Sequence, residues 1–343
     1  MSTAKKIVYV GSLNPLCNAY RRFKTLGIMG HEMVGIDTDP YIYGNVFTRF
    51  HHHLNVGPGI HKLNSKIVVS VATSLPEIIW VDNKSFLTAR TLRHIKKILP
   101  AAKIINVITD DITGSRKYAW RLGLKAASLF DCHFVQRSVN INELKDYGAN
   151  RVELCYRSFD PDFHRPVVLD ASEWPKYKTR VGFIGTWEED REAYIAFLIN
   201  NKVEVSVTGD GWPKGKYWNT IGPFYKGPSI YGEAYIKTIN GMDIALHFLR
   251  NENRDEQDSR TFEIPACKVF MMAERSTLHQ QLFKENEEAV FFDSKAELLE
   301  KVQFYLNERK ERNRIALNGY NKCFAAGYSH EDRLKNVIEQ IVR

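Results

Sequence analysis

The sequence predicts an α/β protein of two doubly wound, Rossmann-like halves facing a cleft. Two observations predict it. Short β-rich runs alternate with amphipathic helical stretches, and the alternation breaks once near the middle and then restarts. Such alternation implies a parallel sheet with helices on both faces. A chain of 343 residues is long enough for two domains, each with its own core.

Lys6–Gly11 reads as a strand, Leu16–Gly30 as a helix closed by Gly27 or Gly30, and Glu32–Ile36 as a second strand ending on Asp37-Thr-Asp-Pro40. Ile67–Ala72 and Ile78–Asp82 read as strands, followed by a helix over Ser85–Leu99, the strand Lys103–Ile108, a helix near Arg116–Leu129 and the strand His133–Gln136. Tyr41–Lys66 fits this rhythm poorly and reads as a long loop or an inserted piece. Around Pro161–Lys178 the pattern dissolves into a Pro- and Asp-bearing connector. It restarts with the strand Thr179–Gly185, the helix Glu188–Asn200 and the strand Glu204–Gly209. A helix near Ser229–Ile239, the strand Met242–Leu249, a helix from about Phe262, the strand Ala289–Phe292 and the helix Lys295–Lys310 follow, then a charged amphipathic helix. The expected division is a domain over residues 1–168, a linker over 169–178, a domain over 179–328 and a final helix over 329–343.

The composition, 44% hydrophobic and 26% charged, is that of a globular protein and excludes disordered, collagenous and coiled-coil classes. The longest apolar runs are of strand length and far too short to span a membrane. Lys5-Lys6 leads straight into a strand-like run, so no secretory signal is expected. Five scattered cysteines without a CxxC argue against a disulfide scaffold or a cysteine zinc site and fit a reducing cytoplasm. Charge is unevenly divided. Residues 1–165 hold 23 Lys and Arg against 13 Asp and Glu, a surplus of ten, whereas residues 166–343 hold 25 against 27. The basic half suits an anionic partner: nucleic acid, a membrane surface or a phosphorylated lipid. A merely soluble basic surface is the plain alternative.

The second half carries Ser259-Arg-Thr-Phe-Glu-Ile-Pro-Ala266, Leu282-Phe283, Glu287-Glu288-Ala-Val-Phe-Phe292, Glu297-Leu298 and Tyr305-Leu306, with Arg312 and Gly319 beyond. Upstream stand Val181-Gly-Phe-Ile-Gly-Thr-Trp187, Arg191 and Thr208-Gly-Asp-Gly-Trp212, and before them Ser158-Phe-Asp-Pro-Asp-Phe-His-Arg-Pro166. This series resembles the CgeB-like (spore-maturation-type) branch of the group 1 glycosyltransferases, which have the two-domain GT-B fold. The likeness is strongest from about residue 130 onward. It departs at Lys268, where the family usually has Gly, a position expected to lie close to the ligand.

The resemblance implies a transferase that moves a hexosyl or pentosyl unit from a nucleotide-sugar, mostly with retention and without a bound metal or other cofactor. Glu263 would hold the ribose hydroxyls, since a carboxylate accepts two bonds from a vicinal diol. Asp255 would contact the sugar. The helix near Phe262 would aim its free amides at the diphosphate. Gly185, Thr186 and Gly209 would let backbone approach the donor, while Arg191 or Arg260 would neutralise the leaving group. Each of these side chains has a structural alternative: a first-turn glutamate favoured by the helix dipole, or an arginine in an ordinary ion pair. On the acceptor side Ser12, Asn14 and Arg21 follow the first strand, in a turn that lacks GxGxxG. Asp110 and Asp111 stand at a strand's carboxyl edge, where open sheets bind ligands. One of them could serve as the acceptor's base, and a helix-capping role is equally open. Asp37-Thr38-Asp39 matches a DxD metal motif and His51–His53 could ligate a metal, yet neither is expected to.

The sequence therefore reads as a glycosyltransferase with its donor on the C-terminal domain and its acceptor on the basic N-terminal one. The last helix would cross back onto the first domain. The expected partners are a nucleotide-sugar and an anionic acceptor, either a lipid-linked glycan at the inner face of a membrane or a hydroxymethylated DNA base. A protein acceptor, a non-catalytic nucleotide-sugar or nucleic-acid binding protein of the same fold and a sugar-nucleotide epimerase are the rival readings. Base, sugar, linkage and oligomeric state are not encoded in any of these motifs.

Overall fold

A computed structural model describes residues 4–43, 55–83, 86–115 and 117–342. The chain divides into two compact units, Met1–Arg157 with Asn251–Arg254 and His330–Arg343, and Ser158–Arg250 with Asp255–Ser329. Among the described residues, no helix is long and apolar enough to cross a membrane.

The first unit is built on a six-stranded parallel sheet. Its strands are β1 (Lys6–Gly11), β2 (Glu32–Asp37), β3 (Ile78–Asp82), β4 (Lys103–Ile108), β5 (Cys132–Val135) and β6 (Val152–Leu154), in the order β2-β1-β3-β4-β5-β6. Alternation along the strands sends Val8, Val10, Ile79, Val81 and Ile104 to one face, against Leu63, Ile67, Leu92 and Ile95 of helices Pro58–Ser74 and Ala89–Ile98. Ile7, Tyr9, Ile78, Trp80 and Ile105 fill the other face, packed against Leu26 of helix Asn18–Ile28 and Leu334, Val337 and Ile338 of helix His330–Val342.

Two expectations fail here. Ile67–Ala72 is the second half of a 17-residue helix, Pro58–Ser74, and not a strand. Most of the expected loop from residue 55 onward belongs to that helix or leads into it; His51–His53 lie outside the described residues. The cause is Asn64, which is buried among apolar neighbours. Its amide donates to the carbonyls of Ile60 and Phe86, and its oxygen accepts from the Thr88 amide. A satisfied polar side chain on the inner face interrupts the apolar helical period that a sequence reading relies on. The helix near Arg116–Leu129 is also broken, into two single 3₁₀ turns around the short helix Arg121–Lys125.

The second unit repeats the plan with β7 (Thr179–Ile184), β8 (Val205–Thr208), β9 (Tyr225–Gly227), β10 (Met242–His247), β11 (Met271–Glu274) and β12 (Val290–Phe292), ordered β12-β11-β10-β7-β8-β9 and all parallel. Val181, Phe183, Val205, Val207, Ile244 and Leu246 meet Ile195 and Leu198 of helix Glu189–Asn200 and Leu298 and Val302 of helix Lys295–Asn307. The strand order reverses beside β7, so the loops after β7 and β10 flank the switch point, where open sheets place ligands.

Candidate functional site

In the second unit the loops after β7 and β8 are knitted together by backbone. Gly185 N donates to Thr208 O at 2.9 Å, Trp187 N to Asp210 O at 2.8 Å, and the buried Trp212 indole N–H to Gly185 O at 2.9 Å. Gly209 has φ +146°, and a Cβ there would stand 2.0 Å from Gly185 O. Gly209 is thus required for loop-to-loop contact, with Thr186 exposed beside it.

Arg191, in the first turn of helix Glu189–Asn200, is buried and points back under this loop. It donates to Thr186 O at 3.0 Å and Phe248 O at 3.2 Å. Arg250 donates to Glu188 at 2.5 Å, and Glu188 also lies 4.0 Å from Arg191. Burial lowers the Arg191 pKa, Glu188 opposes this, and the positive charges of Arg260 and Arg250 lower it further. The Nε–H groups of Arg191 and Arg260 are both buried without a hydrogen-bond partner. Two buried donors on mutually repelling guanidiniums mark a place prepared for an anion.

The helix expected near Phe262 begins earlier, at Ser259, and its amides are not free. Asp258 caps it: the carboxylate accepts from the Arg260 amide at 2.6 Å and the Arg260 guanidinium at 2.7 Å, and Thr261 Oγ1 accepts from the Asp258 amide at 3.2 Å, closing a capping box. Burial raises the Asp258 pKa, but His247, Arg260 and Arg191 outweigh it and hold the carboxyl well below the usual range. A diphosphate at this helix start, as expected from the sequence, would meet the Asp258 carboxylate. Phe262 itself is fully buried, its ring edge-on to Tyr328, and cannot touch a donor with its side chain.

One turn on, Glu263 is 4% exposed and engaged by two residues to which the sequence reading gave no role, His164 of the Ser158–Pro166 segment and Tyr235. The Tyr235 hydroxyl, from helix Gly232–Asn240, donates to Glu263 Oε2, and His164 Nε2 lies 3.3 Å from Oε1. Behind the helix, Thr261 Oγ1 stands 3.0 Å from both His247 Nε2 and His279 Nε2. Lys268, expected near the ligand, instead follows the C-terminus of this helix. It is exposed, with φ +57°, and its amide donates to Pro265 O. Glycine suits this position because the backbone is left-handed.

The first unit holds the other candidates. Asp111 is buried and receives two bonds from Arg254, at 2.6 and 2.8 Å, with another from Asn140 at 2.9 Å. Arg254 also donates to Glu143. Burial pushes the Asp111 carboxyl up, but the Arg254 and Asn140 bonds win and bring it down to about 2. That makes Asp111 a weak base at neutral pH, bound into a structural ion pair; of the two aspartates either of which could serve as base, Asp110 is the one without such a bidentate pairing. Asp110 is half-exposed and accepts from Asn83 at 3.0 Å. Asp255 follows Arg254 but belongs to the second unit, with its amide donating to Arg250 O. Ser12 donates to Asp39 at 2.6 Å, exposed Asn14 accepts from the Leu16 amide, and Arg21 lies in helix Asn18–Ile28. Asp37 accepts the Leu13 and Asp39 amides and so closes a turn. Among the described residues, no group of three or more His, Cys, Asp or Glu is placed to hold a metal.

Residues 191–339 match the family described as glycosyl transferase-like. No curated protein matches the chain in sequence. Solved structures match it over nearly its whole length. HepE of Anabaena in complex with UDP aligns at a TM-score of 0.65 and 11% identity, covering 98% of this chain and 99% of that one, and its UDP-glucose complex aligns likewise. Sucrose-phosphate synthase from Thermosynechococcus elongatus gives a TM-score of 0.68 at 11% identity, with 98% and 99% covered. The UDP-forming α,α-trehalose-phosphate synthase from Burkholderia xenovorans gives 0.65 at 12%, with 99% of each chain covered. The fold is GT-B, two Rossmann-like domains, and residues 191–339 are the part that is similar to the glycosyl transferase-like family.

Proposed function

We propose that the protein transfers a sugar from a nucleotide-sugar to an acceptor hydroxyl, with the donor held on the second unit. The observation that carries this is the pair of buried, unpartnered Nε–H groups of Arg191 and Arg260 beside the buried carboxylate of Glu263. A nucleoside diphosphate offers what that set lacks: anionic oxygens for the arginines and a ribose diol for the glutamate. UDP is the first base to test, because HepE, of the same fold, binds UDP and UDP-glucose.

In the proposed reaction the bond from the sugar's anomeric carbon to the phosphate oxygen breaks through an oxocarbenium-like state. The new bond forms to the acceptor oxygen. Arg191 and Arg260 balance the charge growing on the departing diphosphate without recourse to a metal. The acceptor's proton passes to that phosphate in a retaining reaction, or to Asp110 in an inverting one, and Asp255 contacts the sugar.

The acceptor is proposed to be anionic. Helices Pro58–Ser74 and Ala89–Ile98 expose Lys62, Lys66, Arg90, Arg93 and Lys97 and contain no acidic residue. A phosphorylated lipid carrier fits this face, as does a DNA backbone, whose binding would weaken steeply with salt.

The test is a thermal-shift screen against UDP-, GDP-, ADP-, CMP- and dTDP-sugars, with Glu263→Ala in parallel. One nucleotide class should raise the melting temperature, by an amount corresponding to about 2.7 kcal/mol at a hundredfold excess over Kd, and the variant should lose that shift. No shift with any donor at millimolar concentration would sink the proposal. Isomerised donor without acceptor would identify an epimerase instead.

A further inference from the structure

Glu263 is a buried carboxylate whose hydrogen-bond partners are neutral. Tyr235 carries its proton: burial first, then the Glu263 charge, pushes the phenol well above its ordinary value, so its O–H can only donate to Oε2. The state of His164 follows from its other nitrogen. The Asp160 amide donates to His164 Nδ1 at 3.0 Å, so Nδ1 is the lone-pair nitrogen and the ring proton sits on Nε2. That proton faces Glu263 Oε1 at 3.3 Å. The ring is 2% exposed and is braced edge-on by Phe163, with centroids 4.9 Å apart. Each oxygen of the carboxylate is therefore fixed by one donor, from two different segments of the second unit. An ionised carboxylate has about four acceptor sites, so lone pairs remain on both oxygens for a ligand.

We infer that His164 and Tyr235 are positioning residues that set the rotation of the Glu263 carboxylate for a cis-diol, the ribose of the nucleotide-sugar. This rests on the nucleotide-sugar reading above. A purely structural triad would have no use for the diol. A positioning pair should matter only to ligands that possess one.

The experiment is calorimetric binding of UDP and of 2′,3′-dideoxy-UDP to the full-length protein and to His164→Ala, His164→Gln, Tyr235→Phe and Glu263→Ala. Loss of either donor should weaken UDP about tenfold and leave the dideoxy compound within about twofold. His164→Gln, whose amide N–H can take the place of Nε2–H, should recover most of the UDP affinity. Either loss should add nothing further in the Glu263→Ala background. Equal losses for both nucleotides, or losses additive with Glu263→Ala, overturn the positioning role. Wild-type protein that binds neither UDP, nor its dideoxy analogue, nor any other nucleotide of the thermal-shift screen overturns the nucleotide reading itself and this inference with it, whereas dideoxy-UDP binding as tight as UDP leaves the donor site standing and removes only the diol contact.

Discussion

Asp111→Asn gives the sharpest quantitative test of the first unit, because substitution removes the charge and keeps the shape. Arg254 would retain its two bonds to Glu143 and is not stranded. Asp111 is nearly inaccessible, so little solvent screening need be allowed for. Its carboxyl falls from 3.8 to about 2 on folding, and at about 1.4 kcal/mol per tenfold this corresponds to about 2.5 kcal/mol of stability at neutral pH. A depressed carboxyl stabilises the fold above its unfolded pKa and loses that contribution as pH falls through the folded one. The gap between wild type and variant should therefore be full at pH 7 and about half as large at pH 3. For a unit of this size, 2.5 kcal/mol lowers the melting temperature by roughly 5–10 °C, readable by scanning calorimetry. A gap that stays constant between pH 7 and pH 3 would refute the ion-pair account. Sugar transfer, once the variant is folded, should persist within about tenfold; a far larger loss at unchanged stability would return Asp111 to the role of base.

Two further substitutions probe the backbone of the second unit. Lys268→Gly should stabilise it by about 0.5–1 kcal/mol, because lysine is strained at φ +57° and glycine is not; a decrease in melting temperature, or altered nucleotide affinity, would contradict the helix-terminus assignment. Gly209→Ala should destabilise by more than about 3 kcal/mol or prevent folding, since its methyl would enter the Gly185 carbonyl; a well-folded alanine variant in calorimetry would show that the loops can separate.

Much of the fold was legible because strands such as Ile7–Val10 and Ile78–Val81 are uninterrupted apolar runs, as parallel strands covered on both faces must be. Pro58–Ser74 was not legible, since Ile67-Val68-Val69 is β-branched and Asn64 hides the helical period. The strands β6, β9 and β11 are three or four residues each and carry too little pattern to stand out. In the site, Glu263, Arg191 and Arg260 came from a motif that preserves local spacing. His164 lay in a quoted segment without a signal of its own, and Tyr235 had none, because their role arises only where a connector, one helix and another helix meet. The Asp111–Arg254 pair spans 143 positions and is equally invisible to local patterns.

The protonation directions and unpartnered donors of the second unit bear together on what chemistry a ligand there would need. Arg191, Arg250 and Arg260 gather beside Glu188 and Asp258. Two guanidinium N–H groups are buried without a protein partner. Asp258 occupies the amides of its helix, so an incoming anion is denied the usual seat at the helix start and left to the side chains. Glu263 is held by two neutral donors, with Arg260 bound instead to Asp258, so its charge is oriented without being quenched. An anionic ligand that also carries paired hydroxyls would serve both features together: the unmet donors and the spare lone pairs. A bare phosphate would serve only the donors and a free sugar only the lone pairs. That difference is the ground for proposing a nucleotide, in which diphosphate and ribose are covalently joined.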